Sequence, residues 1–103
     1  MSKNKYHAKP VVVDGVRFDS QREARRYGEL RLLLELGVIT DLEIHPRYPL
    51  VVNGVLVATY VGDFQYFEGE VMVLEDCKGF RTPLYRLKKK LMRALYSIEI
   101  KET

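Results

Sequence analysis

The sequence predicts an α/β fold. Three observations carry that reading: two Asx-Gly hairpin signals set among β-formers, two helical segments that open on a capping residue, and strand-like alternation between them.

The elements follow in order. Val11-Val12-Val13 and Val16-Arg17-Phe18 flank Asp14-Gly15. Asp and Gly tolerate the positive φ that a type I′ turn needs at both central positions, so the chain opens with a β-hairpin. Ser20-Gln21-Arg22-Glu23 then has the capping-box form. Ala24, Tyr27, Leu30, Leu33, Leu34 and Leu36 follow at helical spacing, and Gly37 stands where the helix should end. Gly28 inside this helix costs about 1 kcal/mol relative to alanine, and no neighbouring residue accounts for it. Asp41-Leu42-Glu43-Ile44-His45 alternates like a strand, while Pro46 and Pro49 predict an irregular or edge position. Residues 48–52 and 55–67 face each other across Asn53-Gly54, and Glu68-Gly69 turns the chain into a strand over residues 70–78, completing a three-strand meander. Thr82 as N-cap and Pro83 at the first helical position open a second helix. Its apolar stripe is Leu84, Leu87, Leu91, Ala94 and Leu95, and residues 97–101 alternate as a last strand.

The 103 residues fit one domain, residues 1–103, with a basic N-terminal arm at 1–9. A chain of this size buries about two-thirds of its unfolded surface, so a site must be built on the core elements themselves. Hydrophobic residues at 47% and charged residues at 30% describe a globular chain. No apolar run reaches the roughly 18 residues of a membrane span, and the charged start has no signal region after it. The expectation is a cytoplasmic protein with no membrane partner. A single cysteine, Cys77, excludes an intramolecular disulfide. The net charge is +3 and the pI about 9.0. Arg81, Arg86, Lys88, Lys89, Lys90 and Arg93 fall within residues 80–98, which hold no acid. Such a cluster suits a polyanion and equally describes a solvated helix face.

The chemistry concentrates in residues 70–79. Side chains alternate along a strand, so Asp76 and Lys78 share one face while Glu75 and Cys77 share the other. Asp63, on the preceding strand, should fall within a residue or two of the level of Asp76. Two facing carboxylates repel unless a cation sits between them, and a hard divalent ion such as Mg²⁺ takes oxygen ligands. The Cys77 backbone carbonyl is a further oxygen donor. Lys78 can orient a metal-acidified water or stabilise charge on a phosphoryl centre. Alternatively, Asp76 and Lys78 form a surface salt bridge and Asp63 is solvated. Glu23 closes the capping box, yet it also lies in line with Tyr27, Leu30 and Leu34, where a carboxylate needs a partner. Both readings stay open. Lys88 borders the apolar face of the second helix, either reaching into a site or snorkelling. Cys77 reads as a packed side chain rather than a nucleophile, and His7 and His45 have no metal-ligand spacing. There is no phosphate-cradling loop and no nucleophile elbow. The seven tyrosines read as core or edge packing.

Four blocks occur in order: Phe18-Asp19-Ser20-x-x-Glu23-Ala24-x-Arg26-Tyr27-x-Glu29-Leu30, Tyr60-Val61-x-Asp63-Phe64, Glu75-Asp76-x-Lys78-Gly79, and Thr82 with Leu87-Lys88-x-Lys90-Leu91. With them the chain resembles the PD-(D/E)XK nuclease superfamily, most of all its small phage-encoded, Holliday-junction-resolvase-like members. The resemblance implies a restriction-endonuclease-like α-β-β-β-α-β core with a mixed sheet, here preceded by the N-terminal hairpin. It implies a DNA endonuclease that uses Mg²⁺, with Mn²⁺ as a substitute, and branched DNA as a candidate substrate. Asp63 and Asp76 would be metal ligands, Lys78 the catalytic lysine, Glu23 a contributing helix acid, and Lys88 a residue near the scissile phosphate. The six cations of residues 80–98 would hold DNA, and symmetrical resolution of a junction would ask for a homodimer. Gly62 stands where the superfamily's name has proline. The competing readings are a non-catalytic nucleic-acid-binding module and a protein-interaction domain of a phage replication or packaging assembly.

Overall fold

The computed structural model describes residues 9–78 and 80–103. His7, Lys3, Lys5 and the rest of the basic arm up to residue 8 lie outside the described residues, as does Gly79. The chain divides into two units, Met1–Val38 and Ile39–Thr103.

In the first unit, β1 (Val11–Val13) and β2 (Val16–Phe18) pair antiparallel. Asp14 and Gly15 turn between them at φ +53° and +77°, the backbone of a type I′ turn. Helix α1 (Gln21–Glu35) starts from Ser20, whose Oγ accepts the Glu23 N–H at 3.1 Å. Glu23 Oε1 accepts the N–H of Asp19 at 3.2 Å, one residue earlier than the reciprocal bond of a capping box. Glu23, Tyr27 and Leu30 are buried, and the rings of Tyr27 and Phe18 lie 4.9 Å apart. The Tyr27 hydroxyl donates to Asp14 Oδ2 at 3.1 Å, tying helix to hairpin turn. Leu36 caps the helix and is exposed, so it falls off the buried face despite its spacing.

The second unit contains β3 (Thr40–Ile44), β4 (Arg47–Val52), β5 (Val55–Val61), β6 (Phe64–Glu68), β7 (Val71–Asp76), α2 (Pro83–Tyr96) and β8 (Lys101–Glu102). Four strands form a mixed sheet in the order β3-β6-β7-β8, while β4 and β5 form a separate two-stranded ribbon. Only β7 and β8 run parallel, with Glu75 opposite Lys101 and Asp76 opposite Glu102. Parallel neighbours need a crossover, and α2 is that connection. The core gathers Leu50, Tyr60, Leu74, Tyr85, Met92 and Ile100 from ribbon, sheet and helix.

The structure corrects three expectations. The last strand is Lys101–Glu102 rather than residues 97–101. The run 55–67 is not one strand: it breaks at Gly62 and Asp63. The opposing chain bends at the same place, where His45 takes φ +56° ahead of Pro46. The two bends are bonded to each other, His45 N–H to Asp63 C=O and Gly62 N–H to Pro46 C=O, both at 2.9 Å. Proline at 62 would lose the second of these donors, which gives its absence there a physical reason. A Cβ on Gly62 would also stand 2.9 Å from Leu74 Cδ1 and 3.3 Å from Tyr60 Cε2. The stripe on α2 is also displaced. Tyr85 and Met92 are its buried residues, whereas Leu84 and Leu87 are exposed. Tyr85 and Lys89, one turn apart, both bond Glu102 of β8, at 2.8 and 3.0 Å, and turn that face inward. Among the described residues no helix is long and apolar enough to cross a membrane.

Gly28 is exposed, with nothing within 4 Å of an added Cβ. Gly28→Ala should therefore stabilise the protein by about 0.5–1 kcal/mol, read as a higher urea midpoint at unchanged slope. Gly62→Ala should act in the opposite direction, costing about 1–3 kcal/mol through overpacking against Leu74 and Tyr60. The same urea titration checks both.

Candidate functional site

The end of β7 carries two adjacent buried carboxylates that point to opposite sides. Glu75 is fully buried and accepts the Tyr66 hydroxyl. Asp76 is 2% exposed and has two partners on its own side. Tyr60 donates its hydroxyl to Oδ2 at 2.5 Å, and Lys78 Nζ lies 3.2 Å from Oδ1. A buried charge is costly unless it is paired and hydrogen-bonded, and Asp76 has both kinds of partner. Burial first, then the hydrogen bond to Asp76, push the Tyr60 phenol far above its usual range; the charges of Asp76 and Asp63 add to this. The phenol is therefore a fixed donor at any ordinary pH. Lys78 Nζ also sits 4.2 Å from the centre of the Tyr85 ring, a cation–π contact that holds the ammonium from the other side.

Asp63 occupies the bend between β5 and β6. Phe64 pairs with Glu75, so Asp63 stands level with the step from Asp76 to Cys77. Its N–H donates to Glu75 C=O at 3.1 Å, and its Oδ2 accepts the Cys77 N–H at 2.6 Å. The bend thus turns a strand residue into a carboxylate clamped against the end of β7. An imidazole nitrogen of His45 lies within 4.8 Å of a carboxylate oxygen of Asp63. Spacing in the sequence concealed this neighbour, because the contact depends on two facing kinks. The sequence offered only Pro46 as a sign of a break, and a residue before proline is ordinarily extended rather than left-handed.

A cleft of about 220 Å³ opens beside Asp76, lined by Tyr60, Lys78, Thr82, Tyr85 and Lys88 among others. Lys88 of α2 thus shares a cleft with Asp76 and Lys78, while Asp63 is not among its lining residues. Glu23 belongs to the first turn of α1 in the first unit, where its carboxylate accepts the Asp19 N–H. The Cys77 thiol lies 3.2 Å from Thr103 Oγ1 at the end of the chain.

The six cations of residues 80–98 do not form one free surface. Arg81 reaches Glu102 Oε1 through Nε and Nη2 at 2.8 and 2.6 Å, and Lys89 reaches Oε2 at 3.0 Å. Arg93 lies 3.6 Å from Glu99. Among the described residues Arg86, Lys88 and Lys90 have no ion-pair partner. The acids that neutralise the others follow the basic run in sequence and fold back on it.

An α/β fold with a buried carboxylate and two lysines at one cleft is the class that these observations define. A family model described as "Protein of unknown function (DUF1064)" matches residues 3–103, and the chain belongs to that family. No curated protein and no solved structure matches it.

Hydrogen bonds from Arg81 and then Lys89 hold the Glu102 carboxyl down to about 2, against an ordinary value of 4.5. A depressed carboxyl stabilises the fold above its unfolded value, and that contribution is lost as pH falls through the folded one. Glu102→Gln should therefore be less stable than the parent at neutral pH. The difference should shrink as pH falls from about 4.5 toward 2. Thermal unfolding across that range, followed by circular dichroism, measures it.

Proposed function

We propose that this protein is a divalent-metal-dependent DNA endonuclease with a restriction-endonuclease-like core. One observation carries the reading: the β6–β7 register sets Asp63 at the Asp76–Cys77 step, with Lys78 against Asp76. The chain order supports it. Without the β4–β5 ribbon, the elements after the first hairpin run α1, β3, β6, β7, α2, β8, and the four strands lie in that order in a mixed sheet.

The donors fit a hard divalent cation, since carboxylate and carbonyl oxygens are its preferred ligands. Asp63 and Asp76 would hold it, with the Cys77 carbonyl as a further oxygen; Glu23 enters on its helical spacing and on the resemblance. Mg²⁺ or Mn²⁺ would supply charge neutralisation and a more acidic water. Tyr60 fixes one oxygen of Asp76 and so sets the direction of the other. Lys78, held between Asp76 and the Tyr85 ring, is placed to donate to an anionic oxygen in the cleft. Lys88 adds a second cation there, suited to a phosphate of the DNA backbone. Branched DNA is the proposed preferred substrate, and symmetrical cutting of a junction carries a homodimer with it. Val55, Leu56 and Val57 on β5 and Leu84 and Leu87 on α2 are each more than half exposed, apolar side chains of the kind that an interface covers.

The test is cleavage of linear and four-way-junction DNA with Mg²⁺ or Mn²⁺. Asp63→Asn, Asp76→Asn and Lys78→Ala should each slow cutting about 100-fold or more while DNA binding persists. Intact DNA on all substrates with either metal overturns the reading. Salt-sensitive binding that ignores metal and is unchanged in Asp76→Asn would mark a non-catalytic DNA-binding module instead.

A further inference from the structure

His45 is part-buried at the bend between β3 and β4. Its N–H donates to the Asp63 carbonyl at 2.9 Å, so the backbone fixes the spacing of the two residues. Their side chains approach as well, an imidazole nitrogen and a carboxylate oxygen lying within 4.8 Å. His45 holds φ +56°, a conformation that costs energy in a residue other than glycine.

We propose that His45 supplies an imidazole ligand to the divalent ion held by Asp63, and that this nitrogen tilts the site from Mg²⁺ toward Mn²⁺. The inference rests on the reading of Asp63 as a metal ligand. Its chemistry follows from three points. Asp63 Oδ2 takes the Cys77 N–H at 2.6 Å, which orients the carboxylate. Two ligands on one ion, each about 2.0–2.2 Å from it, stand at most about 4.4 Å apart. A separation within 4.8 Å therefore closes with a small side-chain rotation. Carboxylates alone favour hard ions that keep their water, whereas imidazole adds affinity for first-row transition ions. The simpler alternative is that His45 and Asp63 only pin the two bends together.

The experiment is Mn²⁺ binding to the whole protein without DNA. Continuous-wave electron paramagnetic resonance gives the affinity, and pulsed measurements detect a directly bound nitrogen. The variants are His45→Asn, which tolerates the left-handed backbone and lacks the imidazole, and Asp63→Asn. The parent should show a nitrogen coupling. His45→Asn should lose that coupling and bind Mn²⁺ about tenfold more weakly, with a smaller change for Mg²⁺ in competition. Mn²⁺ bound by the parent without nitrogen coupling overturns the inference, and this result needs no variant to fold. So does unchanged affinity in a folded His45→Asn. If Asp63→Asn still removes Mn²⁺, the metal-site reading survives that failure. Absence of Mn²⁺ binding in the parent ends both.

Discussion

Two carboxylates side by side in a buried strand are the constraint on which the second unit turns. Glu75 and Asp76 are both almost free of solvent. Isolated buried charges cost several kcal/mol each, so the fold has to bring each a donor. Adjacent strand residues face opposite ways, and the donors therefore come from different strands. Tyr66 on β6 serves Glu75, and Tyr60 on β5 serves Asp76. A one-residue slip of β6 against β7 would turn Tyr66 to the wrong face. The acids thereby help to fix the register that puts Asp63 at the end of β7.

Links of the same kind extend from Asp76 to the C-terminal strand. Tyr60 holds Asp76, Asp76 holds Lys78, the Tyr85 ring faces the Lys78 ammonium, and Glu102 takes the Tyr85 hydroxyl together with Arg81 and Lys89. Burial and the bond to Glu102 raise the Tyr85 phenol far above its usual range, so it too remains a donor. A two-residue strand would add little by its backbone alone. Here its one glutamate joins three residues around α2.

Local chemistry was legible where local rules decide. Asp14-Gly15 and Asn53-Gly54 take the positive φ that their turns require, and Ser20 and Thr82 cap the helices that follow them. The alternation that separates Asp76 from Glu75 is likewise a short-range rule, and the two acids do find separate partners. What escaped depends on contacts between distant residues. The break at Gly62 arises from hydrogen bonds to residues 45 and 46 on another strand. Leucine spacing misplaced the inner face of α2, because Glu102 recruits Tyr85 and Lys89. The basic run looked unopposed because its counter-charges lie beyond it. The tyrosines read as packing, yet four buried ones donate to Asp14, Asp76, Glu75 and Glu102.

The position of Cys77 has a practical consequence. It is the chain's one cysteine, it follows Asp76, and its N–H is held by the Asp63 carboxylate. Its thiol is partly covered and lies against Thr103, whose own N–H bonds the Asp76 carbonyl at 3.0 Å. A thiol reagent therefore has a single target in the chain, partly exposed and partly covered by Thr103. Modification there places a reporter beside Asp76 and Asp63, at the carboxylate end of the sheet, without an engineered cysteine.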